Sequence, residues 1–304
     1  MSEMLSVIVA VFLLIFLGTL LRRSEYLDAG FWEAVERLTY FFLFPALLVT
    51  TLATAEFADL AALPMALAII AALIVMTLLL LAIRPLLRIS RPAFATVVQG
   101  ALRQNTYIGL AVSFGLFGAA GLTMAAVAVA ALVPLVNVLS VTVLTRFSRS
   151  VPGNAAQTAE ALAKNPLILA CALGLVLNVT GIGLPGFVAP LFEILGRGAL
   201  AMGLLAVGAG LRFGSAWLGG RSIAIASVLK LMVMPIITAL ACWLFEVTGQ
   251  AAVVAILFSG LPTATSAYIL TRQMGGDAGL MAGVISVETA LSLLTLPILL
   301  SLLL

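Results

Sequence analysis

The chain has 304 residues, of which 63% are hydrophobic and only 9% are charged, and its net charge is +3. Soluble domains carry about 25% charged residues, so this composition excludes a soluble globular protein. The sequence has no His, no CxxC motif and no glycine-rich phosphate loop, so it predicts no metal site and no cofactor. The basic residues lie between apolar segments, which argues against a nucleic-acid partner and for a lipid membrane.

Uncharged apolar runs of about 20 residues, long enough to cross roughly 30 Å of hydrocarbon, divide the chain into ten predicted spans. Each should be a helix, because backbone groups in lipid must satisfy one another. In chain order the spans are Leu5–Leu21, Trp32–Leu52, Leu63–Ile83, Pro92–Leu116, Leu122–Thr145, Pro166–Val179, Phe187–Leu211, Ser222–Leu244, Ala251–Leu270 and Leu280–Leu303. The predicted fold class is an all-α polytopic membrane protein.

Outside the spans, Lys and Arg occur only in the connections that follow odd-numbered spans. These residues are Arg22, Arg23, Arg84, Arg88, Arg91, Arg146, Arg149, Lys164, Arg212, Arg221 and Arg272. The positive-inside rule places those connections in the cytosol and both termini on the non-cytosolic side. We expect a multi-pass protein of a bacterial inner membrane.

A polar linker at residues 146–165, predicted to be cytosolic, separates two sets of five spans, residues 1–145 and 166–304. The two halves resemble each other: "GAAGL" at Gly118–Leu122 recurs as "GDAGL" at Gly276–Leu280, and Gly18 matches Gly174 at a similar offset. Because five is odd, the second half must be inverted relative to the first. Inverted repeats are typical of secondary transporters, whose substrate site forms at discontinuous helices near the middle of the membrane.

The ninth span contains the most polar stretch within the predicted membrane region, "SGLPTATSAYI" at residues 259–269. Gly260 and Pro262 are predicted to break this helix, because proline lacks an N–H group and clashes with the preceding turn. The polar candidates for a substrate site here are Thr263, Thr265 and Ser266, together with the backbone at Pro262. The alternative is that Pro262 merely kinks the helix.

The fourth span contains the equivalent stretch "LRQNTYIGL", in which Gly109 is the predicted break. Its candidate substrate-binding residues are Arg103, Gln104, Asn105, Thr106 and Tyr107. Two opposed breaks would bring helix N-termini and their partial positive charge to one place, which suits an anionic group. The alternative is that Gln104 and Asn105 only bond across packed helices.

Glu288 lies near the middle of the tenth span, where an ionised carboxylate is costly. Two hypotheses remain open: Glu288 carries a coupling proton, or Glu288 with Thr289 and Ser292 binds a sodium ion. The alternative is a neutral acid bonded to a neighbouring helix. Lys230, inside the eighth span, is either a snorkelling structural lysine or a coupling residue.

Four segments carry a family resemblance. "RQNTYIGLAV" (Arg103–Val112) and "LPTATSAYILTRQMGGD" (Leu261–Asp277) resemble the fourth-span and ninth-span segments of the auxin efflux carrier family. "NPLILACALGLVLNVTGIGLP", ending at Pro185, and "LSLLTLP", ending at Pro297, resemble its sixth and tenth spans. The resemblance covers essentially the whole chain.

The resemblance implies a ten-helix transporter related in fold to bile acid sodium symporters and sodium/proton antiporters. Spans 1, 2, 6 and 7 would form a scaffold, and spans 3–5 and 8–10 a moving transport domain in which the broken fourth and ninth helices cross. It also implies a small carboxylate substrate, such as a dicarboxylate or an auxin-like acid, bound by Asn105. Ala111 stands where the family often has proline, which leaves open whether the fourth span is fully broken.

Together these features predict a secondary active transporter of a small organic anion that works by elevator-type alternating access coupled to protons. Sodium-coupled symport is the alternative. An enzyme is not expected, because the spans contain no closely spaced acid pair and the chain has no His. The apolar faces of the scaffold helices would permit a homodimer.

Overall fold

The computed structural model describes residues 2–24, 26–55, 61–147, 160, 163–212, 214 and 220–304, and these residues contain no β-strand. The helices are α1 (Ser2–Arg23), α2 (Ala29–Leu38), α3 (Phe44–Ala53), α4 (Ala62–Leu87), α5 (Arg91–Leu102), α6 (Thr106–Phe147), α7 (Pro166–Val179), α8 (Ala189–Gly210), α9 (Gly220–Val228), α10 (Met234–Leu244), α11 (Gly249–Ser259), α12 (Ser266–Gln273) and α13 (Ala278–Leu303). The predicted all-α class is confirmed.

Seven helical segments of the described chain are long and apolar enough to cross a membrane. They are Glu3–Arg23, Gly30–Ala53, Ala62–Leu87, Arg91–Phe147, Ala189–Gly210, Gly220–Leu244 and Ala278–Leu303. Six of them match single predicted spans to within a few residues. Helices α7 and α11 are apolar but shorter, at 14 and 11 residues. A multi-pass membrane protein follows, whereas the count of ten spans and their inverted repeat stay predictions.

The long segment Arg91–Phe147 is not one straight helix. Residues 103–105 are non-helical, and Gly118 has a left-handed φ of 59°. In a continuous helix residues 113 and 121 would be about 12 Å apart along the axis. A Cβ atom placed on Gly121 would instead collide with the carbonyl oxygen of Ser113. The chain therefore reverses direction at Gly118, between the predicted fourth and fifth spans.

Most of the predicted linker at residues 146–165 lies outside the described residues. Within the described part, Lys164 forms an ion pair of 2.6 Å with Glu160, one helical turn away. Asn165 caps the start of α7, because its side chain accepts hydrogen bonds from the backbone N–H groups of Leu167 and Ile168.

Four helical units are joined by extensive contacts of α1 with α8, of α3 with α8 and of α3 with α7, and we call α1, α2–α3, α7 and α8 the scaffold. Two glycines allow close approach within it: a Cβ on Gly18 would collide with the backbone of Leu205, and a Cβ on Gly174 would lie 3.1 Å from the carbonyl oxygen of Val49. Helices α4–α6 and α9–α13 form the second group, and most of the buried polar side chains belong to it.

Two π-helical turns interrupt the helices, Thr39–Leu43 before Pro45 and Leu229–Val233 before Pro235. Proline has no N–H group to complete the usual i to i−4 ladder. The residue that follows each π turn donates its N–H to the carbonyl five residues earlier. Such turns frequently occur at functional sites, and these two carry Tyr40 and Lys230.

Candidate functional site

Two interrupted helices meet inside the bundle. Helix α5 ends at Leu102 and α6 begins at Thr106, while α11 ends at Ser259 and α12 begins at Ser266. The backbone N–H of Asn105 donates a hydrogen bond of 2.8 Å to the carbonyl oxygen of Pro262. We call residues 103–105 and 260–265 the crossing. Helices α6 and α12 therefore both have their N-termini at the crossing.

The position of the first interruption corrects one prediction. Gly109 is not the break, because it lies inside α6, four residues after Asn105. Its role is close packing: a Cβ at Gly109 would come within 2.7 Å of the Leu261 and Phe258 side chains. The interruption at residues 103–105 also shows that the chain breaks here without a proline at Ala111. In the second interruption, Gly260 and Pro262 both lie in non-helical backbone.

Asn105 has one bonded and one free polar atom. The residue is 1% exposed, and its Oδ1 accepts a hydrogen bond of 3.4 Å from the backbone N–H of Ile108, which caps α6. Its Nδ2 has no hydrogen-bond partner among the described residues. Leaving a buried donor unsatisfied costs about 1–3 kcal/mol. A ligand acceptor at this atom would recover that energy.

Arg103 and Gln104 add further unsatisfied groups. Arg103 donates from one terminal nitrogen to the Ser266 hydroxyl at 3.4 Å, but its other terminal nitrogen has no partner in the described part of the chain. Gln104 is 5% exposed, and its Oε1 is likewise unpartnered there. The described residues offer Arg103 no carboxylate within 4.0 Å. Arg103 therefore has no ion-pair partner in the described part of the chain.

Two further candidates, Tyr107 beside the crossing and Thr265 within it, face the scaffold. The Tyr107 ring packs 4.4 Å from the Phe44 ring, and a Cβ on Gly203 would lie 2.9 Å from it. The Thr265 side chain lies 3.2 Å from the position of a Cβ on Gly210. Thr106 is half-buried at the start of α6. These contacts make the crossing part of the boundary between the two groups of helices.

Two scaffold residues that the sequence analysis did not select also face the crossing. Glu36 interacts with the Thr265 side chain, and Tyr40 is close enough to Arg103 to interact with it electrostatically. They are four residues apart, so they lie on one face of the helix. In the sequence, these two residues could have been recognised as site candidates because they are polar and lie inside a predicted membrane span, close to Pro45. The scaffold thus contributes its own polar groups to this boundary.

Thr263 links the crossing to α13 and α5. Its Oγ1 lies 2.6 Å from Glu288 Oε2 and 2.6 Å from the carbonyl oxygen of Gly100, and its backbone N–H donates to Glu288 Oε2 at 2.9 Å. Thr263 and Glu288 are both 0% exposed. The Gly100 carbonyl is in the last turn of α5, where backbone acceptors have no helical partner. The Thr263 hydroxyl therefore contacts an orphan carbonyl of the first interruption, and Glu288 satisfies a backbone N–H of the second.

The ion-coupling candidates are only partly brought together. Thr289 donates to the carbonyl oxygen of Ile285, and Ser292 donates to that of Thr289, so both hydroxyls bond within their own helix. Glu288 Oε1 and Lys230 Nζ are buried and without hydrogen-bond partners in the described structure. Among the described residues, no three His, Cys, Asp or Glu side chains are grouped as a metal site would need.

Two cavities lie away from the crossing. An open groove of about 590 Å³ runs along the outer face of α2 beside Glu33 and Arg37, and an apolar cavity of about 180 Å³ lies between α6 and α7 beside Cys171. Neither is lined by residues of the crossing.

Residues 155–300 match the model of a protein family described as membrane transport protein, the auxin efflux carrier family. The match includes the second interruption, Lys230 and Glu288, and it confirms the predicted resemblance over this part of the chain. A comparison with curated proteins gave no match.

The apolar helices and this match support a membrane transport protein. The family is one of membrane transporters.

Proposed function

We propose that the protein is a secondary active transporter of a small organic anion, which binds through its carboxylate at the crossing and is moved by elevator-type alternating access coupled to protons. The observation that carries this proposal is the pair of unsatisfied buried donors on Asn105 and Arg103, held where two interrupted helices meet.

The chemistry of the free atoms favours a carboxylate. Asn105 Nδ2 and the free terminal nitrogen of Arg103 are donors, and the N-termini of α6 and α12 add partial positive charge. A carboxylate has two acceptor oxygens and one negative charge, which matches this set. Charge-assisted hydrogen bonds of this kind contribute roughly 1.5–3 kcal/mol each.

The packing of the two groups of helices supports an elevator motion. Within the scaffold, Gly18 of the first predicted half contacts α8, and Gly174 of the second half contacts α3. An inverted repeat would place equivalent glycines in such equivalent contacts. Where Tyr107 and Thr265 meet the scaffold, they pack on Gly203 and Gly210, which have no side chains to obstruct sliding.

The number of hydrogens available for the contacts of the Thr263 hydroxyl supports a proton as the coupling ion. The Thr263 hydroxyl has a single hydrogen, yet its oxygen lies 2.6 Å from two acceptors, the Gly100 carbonyl and Glu288 Oε2. A proton on Glu288 provides the second hydrogen and lets both contacts be hydrogen bonds. A sodium site at Glu288 would need further oxygen ligands, and the one hydroxyl bonded to Glu288 among the described residues is that of Thr263.

The expected setting is a bacterial inner membrane with both termini on the non-cytosolic side. Apolar side chains of the scaffold are exposed, among them Phe16, Phe41 and Phe42. They suit contact with lipid, and they leave room for a homodimer through the scaffold.

The test is transport by the purified protein in liposomes. Uptake of radiolabelled malate, malonate and indole-3-acetate would be measured under separately imposed proton and sodium gradients. The proposal predicts uptake of at least one of these acids that follows the proton gradient and is indifferent to sodium. Uptake driven only by sodium would overturn the coupling ion, and no uptake of any acid by folded protein would overturn the substrate class.

A further inference from the structure

Lys230 is a buried cation without a bonded partner. It lies in the π turn between α9 and α10, is 0% exposed, and its Nζ has no hydrogen-bond partner among the described residues. Removing an ammonium group from water costs several kcal/mol unless an anion offsets the loss. The one charged group of the described chain that interacts electrostatically with Lys230 is Glu288, and the reverse also holds.

Gly100 lies close both to Glu288 and to the helix that carries Lys230. A Cβ placed on Gly100 would lie 3.8 Å from Glu288 Oε1, the unpartnered oxygen, and 3.4 Å from the Cβ of Ala226. Ala226 and Lys230 are four residues apart, so they lie on the same face of their helix. Lys230 therefore faces the same space as the free oxygen of Glu288.

The charge balance of this pair differs from that of a lone acid. With a proton on Glu288 and an ammonium on Lys230, the pair has a charge of +1. When the proton leaves Glu288 for water, the charge becomes 0, because the carboxylate then balances the ammonium. Without Lys230, the same step would leave a bare buried carboxylate, which is costly in a membrane interior.

We propose that Lys230 is a tethered counter-cation for Glu288, which takes the place of a bound alkali cation and lets the site release its proton without taking up sodium. This inference rests on the proposed coupling role of Glu288. It assigns a function to Lys230 and explains why a lysine is tolerated at 0% exposure inside the bundle.

The test is a double-mutant cycle measured by thermal unfolding of the purified protein in detergent, which requires neither substrate nor flux. The measurement is made at alkaline pH, where Glu288 is ionised in the wild type, so that Glu288→Gln alone leaves the ammonium without a counter-charge and its Tm should fall. Adding Lys230→Met removes that stranded charge, so the double variant should unfold at a temperature roughly 2 °C or more above that of Glu288→Gln. If Glu288→Gln yields no folded protein, recovery of folded protein in the double variant is the same result.

The matched control pairs Lys230→Met with Ser292→Ala, one turn from Glu288 and uncharged, where the two effects should add. Additive losses in the Glu288 pair, or a double variant that is worse than Glu288→Gln, would overturn the proposal. A second arm compares the wild-type Tm in equal concentrations of sodium chloride and potassium chloride. Equal values are expected, whereas a sodium-specific rise that disappears in Glu288→Gln would show an alkali cation in the place assigned to Lys230.

The outcome is separable from that of the liposome experiment. Coupled stabilities with no carboxylate uptake would remove the substrate claim and keep the pair. Proton-driven uptake with additive stabilities would keep the transporter and remove the role of Lys230.

Discussion

The backbone N–H of Asn105 bonds to the carbonyl oxygen of Pro262 at 2.8 Å, so the two interrupted helices are joined through main-chain atoms alone. The side chain of Asn105 does not take part in this bond. Substituting side chains at the crossing should therefore change its chemistry without separating the helices, which makes the site accessible to mutation.

Thr263 should depend on its hydroxyl rather than on its shape. Thr263→Val removes a group that lies 2.6 Å from both Gly100 and Glu288 and leaves both of them without that contact. We expect a loss of about 1–3 kcal/mol in the free energy of unfolding, together with loss of proton-driven uptake. Thr263→Ser keeps the hydroxyl and should retain both. Denaturant unfolding measures the stability, and liposome uptake measures the transport. If Thr263→Val and Thr263→Ser behaved alike in both, the hydroxyl would have no role in either.

Glu288 should be needed for accumulation but not for exchange. Glu288→Gln preserves a hydrogen-bonding side chain beside Thr263 but cannot release a proton. We expect exchange of labelled for unlabelled acid across the liposome membrane to continue, while uptake against a concentration gradient is lost. Ser292→Ala, which leaves Glu288 unchanged, is the control and should accumulate substrate normally. Accumulation by Glu288→Gln at the wild-type level would remove Glu288 from coupling.

A disulfide across the boundary should arrest the protein if the crossing moves past the scaffold. A Cβ on Gly210 would lie 3.9 Å from the Cβ of Thr265, within the range of about 3.5–4.5 Å that a disulfide requires. In a background with Cys171 and Cys242 replaced by Ala, Gly210→Cys with Thr265→Cys should cross-link on oxidation. Uptake should stop on oxidation and return on reduction, and it would be measured before and after adding a reducing agent.

The matched control cross-links the scaffold to itself. A Cβ on Gly196 would lie 3.5 Å from the Cβ of Leu47, at the short end of the same range. Gly196→Cys with Leu47→Cys should oxidise without stopping uptake, because both residues belong to the scaffold. Continued uptake through a fully cross-linked Gly210 and Thr265 pair would contradict the elevator motion.

Much of the membrane architecture was predictable from the sequence. The tenth predicted span, Leu280–Leu303, matches α13 at Ala278–Leu303, because a long apolar run bounded by polar residues has few alternatives. The cap of this helix was also recognisable, since Asp277 accepts the backbone N–H of Leu280. Length and hydropathy carry this information locally.

The details of the crossing were harder to predict. The sequence predicts a helix break at Gly109, but glycine also allows close packing inside a helix. The sequence does not distinguish these two uses of glycine. The acceptor on Gly100 is a backbone carbonyl, which no side chain reveals. Lys230 and Glu288 belong to different predicted spans, so their shared space depends on how those spans pack.

The most direct measurement of the central claim compares Asn105→Asp with Asn105→Ala in liposome uptake of the transported acid. Aspartate can cap α6 as asparagine does, but it replaces the free Nδ2 donor with a negative charge, whereas alanine loses the cap at a cost of about 0.5–2 kcal/mol. If the amide binds the substrate carboxylate, Asn105→Asp should be at least as stable as Asn105→Ala, and its apparent affinity should fall by roughly 10-fold or more. Wild-type affinity in Asn105→Asp, with loss of uptake only in the destabilised Asn105→Ala, would show that Asn105 is a helix cap and contradict carboxylate binding at the crossing.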